Sequence, residues 1–249
     1  MSYKEMIQEE LNRQWKYLLT FGEPDDDEDD EEQRLISLCT KIIHYASEVG
    51  DLEKIVLIID RIQPELGIEI DVNETMDISE QTPLMIACRE GYPDIVDFLI
   101  LNGANVNLAR RDGTTPLITV AENSIMDKDD QLTIVEKLIE SNANVNVQEE
   151  YGKTPLILAT ESNSPKIVSK LLLSGADIGL KDKEGDTALD IAVSNEMKDI
   201  EKIIQDYINK QNEPKTPVKT RGGTKKRRIK ENKNKRKQKL NKSKRRKTI

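Results

Sequence analysis

Residues 81–107 read QTPLMIACREGYPDIVDFLILNGANVN, and variants of this stretch return at a fixed period. Thr82-Pro83-Leu84 recurs as Thr115-Pro116-Leu117, Thr154-Pro155-Leu156 and Thr187-Ala188-Leu189, with the threonines 33, 39 and 33 residues apart. The middle interval is one period plus six residues. A period of this length marks a repeat array, in which each unit buries its apolar face only against its neighbours. Each unit reads as a pair of helices. Thr82, Thr115 and Thr154 stand where an N-cap is needed, and the Pro that follows takes the first helical position, where a missing N–H costs nothing. Ala87, Ala159 and Ala192 are small enough for two antiparallel helices to approach closely, with Val120 the larger exception. Ile95-Val96 and Leu99-Ile100, Ile134-Val135 and Leu138-Ile139, and Ile167-Val168 and Leu171-Leu172 form one stripe on the second helices. Gly103, Asn142 and Gly175 close those helices, and Gly113, Gly152 and Gly185 permit a tight bend before each Thr.

The TPL-x-x-A unit at a spacing of 33 residues resembles the ankyrin repeat, over about residues 40–210. The resemblance implies an all-α repeat solenoid of about five helix-turn-helix units carrying hairpin-like fingers. The expected organisation is an amphipathic helix at 1–22, an acidic linker without structure at 23–32, the array at 33–210 and a basic tail without structure at 211–249. The units are expected near 33–78, 79–111, 112–150, 151–183 and 184–210.

The end units diverge in ways a terminal position explains. In the first, Ala46, Gly50, Ile55 and Ile59 align with Ala87, Gly91, Val96 and Ile100, while Lys54 replaces an apolar residue. His44 falls on Met85, where the family's TPLH pattern has its His, and reads as a structural hydrogen-bonding residue. Residues 61–72, RIQPELGIEIDV, are several residues longer than the matching connection and predict an extended loop. In the last unit Glu201 and Gln205 stand where Val96 and Ile100 stood, as expected of a unit with no following neighbour. The six extra residues fall within Glu122–Thr133 and lengthen the turn between helices.

The 249 residues carry 38 Lys and Arg against 46 Asp and Glu, a net charge of −8. That figure conceals a division: 215–249 hold 18 Lys and Arg against the single acid Glu231, so the tail is +17 and residues 1–214 are −25. Such asymmetry points to separate tasks for body and tail. No apolar run is long enough to cross a membrane. Cys39 and Cys88 lack metal or redox spacing and suit a reducing compartment, so a soluble intracellular protein of nucleus or cytoplasm is expected. Tyr3, Ile7, Leu11, Trp15 and Leu18 give residues 2–21 an amphipathic pattern that suits docking on the array or a partner. The acidic run Glu23–Glu32 lacks the alternating ligands and central Gly of a calcium loop, so no metal is expected there. No phosphate-binding loop, HExxH motif or oriented nucleophile–His pair is present, and neither an enzyme nor a cofactor is expected.

Partner binding is what the resemblance implies, through the fingers and the inner faces of the first helices. The matching finger positions are Arg110, Arg111 and Asp112, then Glu149, Glu150 and Tyr151, then Lys181, Asp182 and Lys183. On the helix face they are Arg89, Glu90, Tyr92, Glu122, Asn123, Glu161 and Asn163. Tyr92 and Tyr151 lead, because aromatics concentrate at interface centres. In the tail, Lys225-Lys226-Arg227-Arg228 and Lys244-Arg245-Arg246-Lys247 match basic clusters of nuclear-import or nucleic-acid-binding segments. Cations without interleaved aromatics predict phosphate-backbone attraction without sequence preference. The Gly-Gly followed by a Lys/Arg/Asn-rich run also resembles tails of proteins from mimivirus-type giant DNA viruses, which implies a virion as a further location.

Overall fold

The computed structural model describes residues 31–75 and 79–212. The helix expected at 1–22, most of the acidic linker and the basic tail beyond Asn212 lie outside the described residues, while Gln211 and Asn212, expected in the tail, end the last helix. The chain divides into two units, Met1–Asn209 and Lys210–Ile249, and the array belongs to the first.

All regular elements among the described residues are helices, arranged as five consecutive pairs. The first pair is α1 (Glu31–Val49) and α2, which runs as Leu52–Val56, Leu57–Ile62 and Gln63–Leu66. The others are α3 (Pro83–Glu90) with α4 (Pro93–Leu101), α5 (Pro116–Glu122) with α6 (Lys128–Glu140), α7 (Pro155–Glu161) with α8 (Pro165–Leu173), and α9 (Ala188–Ser194) with α10 (Lys198–Asn212). Glu31 and Glu32, expected in the linker, instead open α1.

The caps explain why the helices begin and end where they do. The hydroxyls of Thr82, Thr115, Thr154 and Thr187 accept from the backbone N–H three residues on, at 3.2, 3.4, 3.2 and 3.2 Å. Pro also opens α4 and α8, so both helices of those pairs start on a residue with no N–H to leave unpaired. Gly103, Asn142 and Gly175 follow α4, α6 and α8 in the left-handed region, at φ +91°, +66° and +90°.

The core is one continuous stack. Ile95, Val96 and Leu99, Ile134, Val135 and Leu138, and Ile167, Val168 and Leu171 are all buried, as are Ala87, Val120, Ala159 and Ala192. Each buried Leu or Ile contributes about 1.5–3 kcal/mol relative to exposure. Cys39 and Cys88 are buried free thiols within it. Burial pushes both up, Cys39 to about 11, which removes them from thiolate chemistry.

Residues 61–72 form the expected loop only from Gly67 onward. Helix α2 continues to Leu66 and stops at Gly67, whose φ is +66°. Pro64 has no N–H for the Asp60 carbonyl, and ahead of it the turn Leu57–Ile62 widens so that Gln63 N–H donates to the Ile58 carbonyl, five residues back. Ile68, Ile70 and Val72 then alternate into the core while Glu69 and Asp71 face water. The loop was expected from the extra length of this segment, and the continuation of α2 to Leu66 takes up part of that length. The six extra residues of the third pair are likewise shared: the turn 123–127 is longer than its counterparts, and α6 has 13 residues where α4 and α8 have 9.

Candidate protein-binding surface

Among the described residues, three complete hairpin fingers project between the pairs. In each, a Gly at positive φ makes the bend and its N–H donates three residues back: Gly113 to Arg110 (2.9 Å), Gly152 to Glu149 (2.8 Å), Gly185 to Asp182 (3.1 Å). Neighbouring fingers are joined through the backbone, Glu150 N–H donating to the Asp112 carbonyl (2.6 Å) and Lys183 N–H to the Tyr151 carbonyl (2.9 Å). Gln148 adds a side-chain link to the Lys181 carbonyl (2.9 Å). The fingers therefore form a fixed row, and the structure brings Arg111, Asp112, Glu150, Tyr151 and Lys183 onto it together.

Not every finger residue is available to a partner. Asp112 is paired with Arg110 (3.0 Å) and accepts from Thr114 N–H (2.9 Å), and these hydrogen bonds hold its carboxyl below the usual range despite the opposing pull of partial burial. Glu149 accepts from the N–H groups of Tyr151 and Lys153, both at 2.9 Å, so it shapes its own finger. Arg111 rests its guanidinium on Glu80, yet 89% of its side chain is exposed. Tyr151 is 57% exposed, and its hydroxyl bonds Glu150, which raises the phenol above its ordinary value and keeps it a donor. Lys181 and Lys183 are exposed.

The helix-face set divides. Arg89 lies among Glu90 (2.7 Å), Gln81 and Glu48 (4.0 Å), and Glu161 holds Lys153 by two contacts of 2.8 and 2.9 Å, which raises the ammonium. Glu122 is exposed at the end of α5. Tyr92, Asn123 and Asn163, expected on this face, instead occupy the turns between helices. A Cβ on Gly50 would lie 2.8 Å from the Tyr92 ring, so that ring covers the turn of the preceding pair. Asn123 donates to the Arg89 carbonyl (2.7 Å) and accepts from the N–H groups of Ile125 (3.1 Å) and Met126 (3.0 Å). Asn163 takes φ +47° to make its turn.

Residues outside the expected partner surface do much of the joining. Asn73, Asn107 and Asn146 each accept from a backbone N–H of the next repeat, at Asn105, Asn144 and Asp177 (2.7, 2.7 and 2.8 Å). Each also donates to the next repeat's carbonyl at Gly103, Asn142 or Gly175 (3.3, 3.0 and 3.2 Å). The signal was available, because Asn107 and Asn146 stand 39 residues apart, as the threonines do. Gln131 is fully buried and donates to the Val120 and Asn123 carbonyls (2.7 and 2.6 Å), pinning the long turn. His44 lies between the Thr40 carbonyl (2.9 Å, Nδ1) and the Gln81 carbonyl (3.3 Å, Nε2), linking the first repeat to the second.

Among the described residues, no group of three or more His, Cys, Asp or Glu side chains is placed to hold a metal ion, and no helix is long and apolar enough to cross a membrane. The chain is 38% identical over 74 residues to mouse (Mus musculus) protein phosphatase 1 regulatory subunit 27. That match covers 30% of this chain and 43% of the mouse protein, less than half the length of that relative. A family model described as ankyrin repeats (3 copies) matches residues 43–147 and 124–214, most of the helical array. With the capped helix pairs, stacked core and row of fingers, this match means that the chain belongs to the ankyrin-repeat family.

Proposed function

We propose that the protein is a non-catalytic adaptor whose array holds a protein partner and whose basic tail carries the complex to the nucleus, to nucleic acid or to a viral particle. The observation that carries the first half is the row of fingers. Arg111, Tyr151 and Lys183 are held out to solvent on a backbone fixed by finger-to-finger hydrogen bonds, so binding orders little that is not already ordered. Glu150 and Lys181 extend this surface. Similarity to a phosphatase regulatory subunit supports a binding role and makes protein phosphatase 1 the first partner to test.

The tail reading rests on its 18 Lys and Arg against one acid and on its likeness to giant-virus protein tails. Lys225, Lys226, Arg227, Arg228, Lys244, Arg245, Arg246 and Lys247 are its proposed contacts. The same charge supports a second reading, a nucleic-acid-associated protein in which the tail is the main binding element and the array a spacer. Affinity capture with the full chain at about 150 and 500 mM salt separates the two, since the higher salt shortens the screening length to roughly 4–5 Å. The adaptor reading expects a protein that is retained at high salt, is retained when those eight tail residues are changed to Gln, and is lost from the Arg111→Ala/Tyr151→Ala variant. Recovery of nucleic acid alone, at low salt and only with the tail charges intact, establishes the second reading.

A further inference from the structure

The edge of the array formed by the turns between paired helices carries a second surface, distinct from the fingers. Val49 ends α1 at 46% exposure, beside Gly50. The Tyr92 ring covers Gly50, and the Met126 side chain covers Gly91, where an added Cβ would meet it at 3.1 Å. Ile125, next to Met126, is 94% exposed. Since each covering residue comes from the following repeat, Val49, Tyr92, Met126 and Ile125 make one apolar strip across three repeats. Helices pack about 8–10 Å apart, so the strip is roughly 20 Å long, the length of a helix of about 13 residues.

Two features distinguish this strip from a chance exposure. Its projecting end is built: Asn123 accepts from the N–H groups of Ile125 and Met126, and buried Gln131 donates to the Val120 and Asn123 carbonyls. A six-residue insertion is thereby ordered around an isoleucine that buries almost nothing within the chain. Its borders are also acidic. Glu48 precedes Val49, Asp94 follows Tyr92, and Glu122 and Asp127 bracket the long turn, all exposed. Lys128, the cation nearest Ile125 in sequence, is directed to Gln131 (3.2 Å) and Ser164 (3.1 Å).

We infer that this edge docks a basic amphipathic helix of a partner protein, its apolar stripe on Val49, Tyr92, Met126 and Ile125 and its Lys or Arg residues against the flanking carboxylates. Charge selects this occupant over the body of a second copy, because residues 1–214 carry a net −25 and two such bodies repel.

The test uses the full-length protein and a fluorescent peptide of about 14 residues with Leu at helical spacing and Lys elsewhere, beside a scrambled peptide of the same composition. Fluorescence anisotropy should show the patterned peptide binding at least about tenfold more tightly than the scramble, and Ile125→Ser weakening it by about tenfold. Asp94→Asn with Glu122→Gln should weaken both peptides, whereas Arg111→Ala with Tyr151→Ala should leave the patterned peptide unchanged, which separates this edge from the finger surface. Equal affinity for the two peptides, or no effect of Ile125→Ser, overturns the inference, as does loss of binding in the finger variant alone. Sedimentation showing self-association that Ile125→Ser abolishes would replace the partner helix with a second copy.

Discussion

The repeat Pro83–Leu101 and the last repeat, Ala188–Asn212, use the same positions in opposite ways. Met85, Cys88 and Val96 are buried against the next repeat. Their counterparts are Asp190, Val193 and Glu201. Asp190 faces water and completes a capping box with Thr187, each bonding the other's backbone N–H. Val193 is left 50% exposed, although the residue at this position is fully buried in every other repeat, at Ser47, Cys88, Ala121 and Thr160. The asparagine ladder stops in step: after Asn73, Asn107 and Asn146 the next position is Gly179, and in the last repeat α10 runs on to Asn212 where the other second helices have already turned at Gly103, Asn142 and Gly175. What a position requires is therefore set by whether a neighbour stacks on it, while the local helix is the same in both places.

Exchanging residues between the two repeats tests that lesson most severely. Val96→Glu places a carboxylate in a fully buried site with no partner and should cost more than about 4 kcal/mol, enough to unfold much of the array. The reverse exchange, Glu201→Val, should change stability by less than about 1 kcal/mol, because one side of that position remains open to water. Urea denaturation followed by circular dichroism measures both, and comparable losses would refute the account of the two ends. Asn107→Ala comes next. It removes one bond that Asn107 accepts and one that it donates, leaving the Asn144 N–H and Asn142 carbonyl to water, and should cost about 2 kcal/mol. Gly179→Asn should give nothing back. A similar gain at Gly179 would show that the ladder stabilises single turns rather than joins repeats.

The turns between paired helices offer a gentler version of the same comparison. Gly50 at φ +80° is covered by Tyr92, whereas Glu196 in the last repeat takes φ +56° with a side chain in place. Gly50→Ala should cost about 1–2 kcal/mol from the left-handed backbone alone, and more because the ring must move. Tyr92→Ala in the same chain should recover only the second part, a double-mutant cycle that separates backbone strain from contact.

The fold was open to reading because its signals repeat. Thr82, Thr115 and Thr154 are each followed by Pro, and the cap, the small Ala and the closing Gly recur at one period, so each copy corroborates the others. Residues used once were harder to place. Pro64 is an ordinary helix breaker in sequence, and only the path of α2 shows the widened turn that absorbs it. Tyr92 looks like a surface aromatic until Gly50 is seen beneath its ring, and Gln131 looks exposed in an acidic stretch yet is fully buried. Arg111 and Tyr151 could be placed on fingers from the pattern. Which carboxylates are consumed inside their own finger, as Glu149 and Asp112 are, depends on how each tight turn folds back on itself, which the repeat pattern does not encode.

His44 supplies the smallest effect, and it concerns the opposite end of the array. The first repeat has His where the second has Met85, and both side chains are buried. The neutral ring has one N–H; donating it from Nδ1 to the Thr40 carbonyl leaves Nε2 facing the Gln81 carbonyl at 3.3 Å. Burial lowers its pKa below the ordinary 6.5, and this outweighs the two carbonyls and Glu74, which favour the imidazolium. With the folded value depressed, the unfolded chain binds a proton more readily than the folded one. The contribution of His44 is therefore fully present above pH 6.5 and is lost as pH falls from there through the folded pKa. This is the chain's single His, so replacing it with the residue the second repeat uses isolates the effect. His44→Met should flatten the stability profile between about pH 7 and 5 while leaving the carboxylate-driven fall at lower pH in place. A wild-type profile already flat across that window would mean that the link to Gln81 holds equally well with a charged ring.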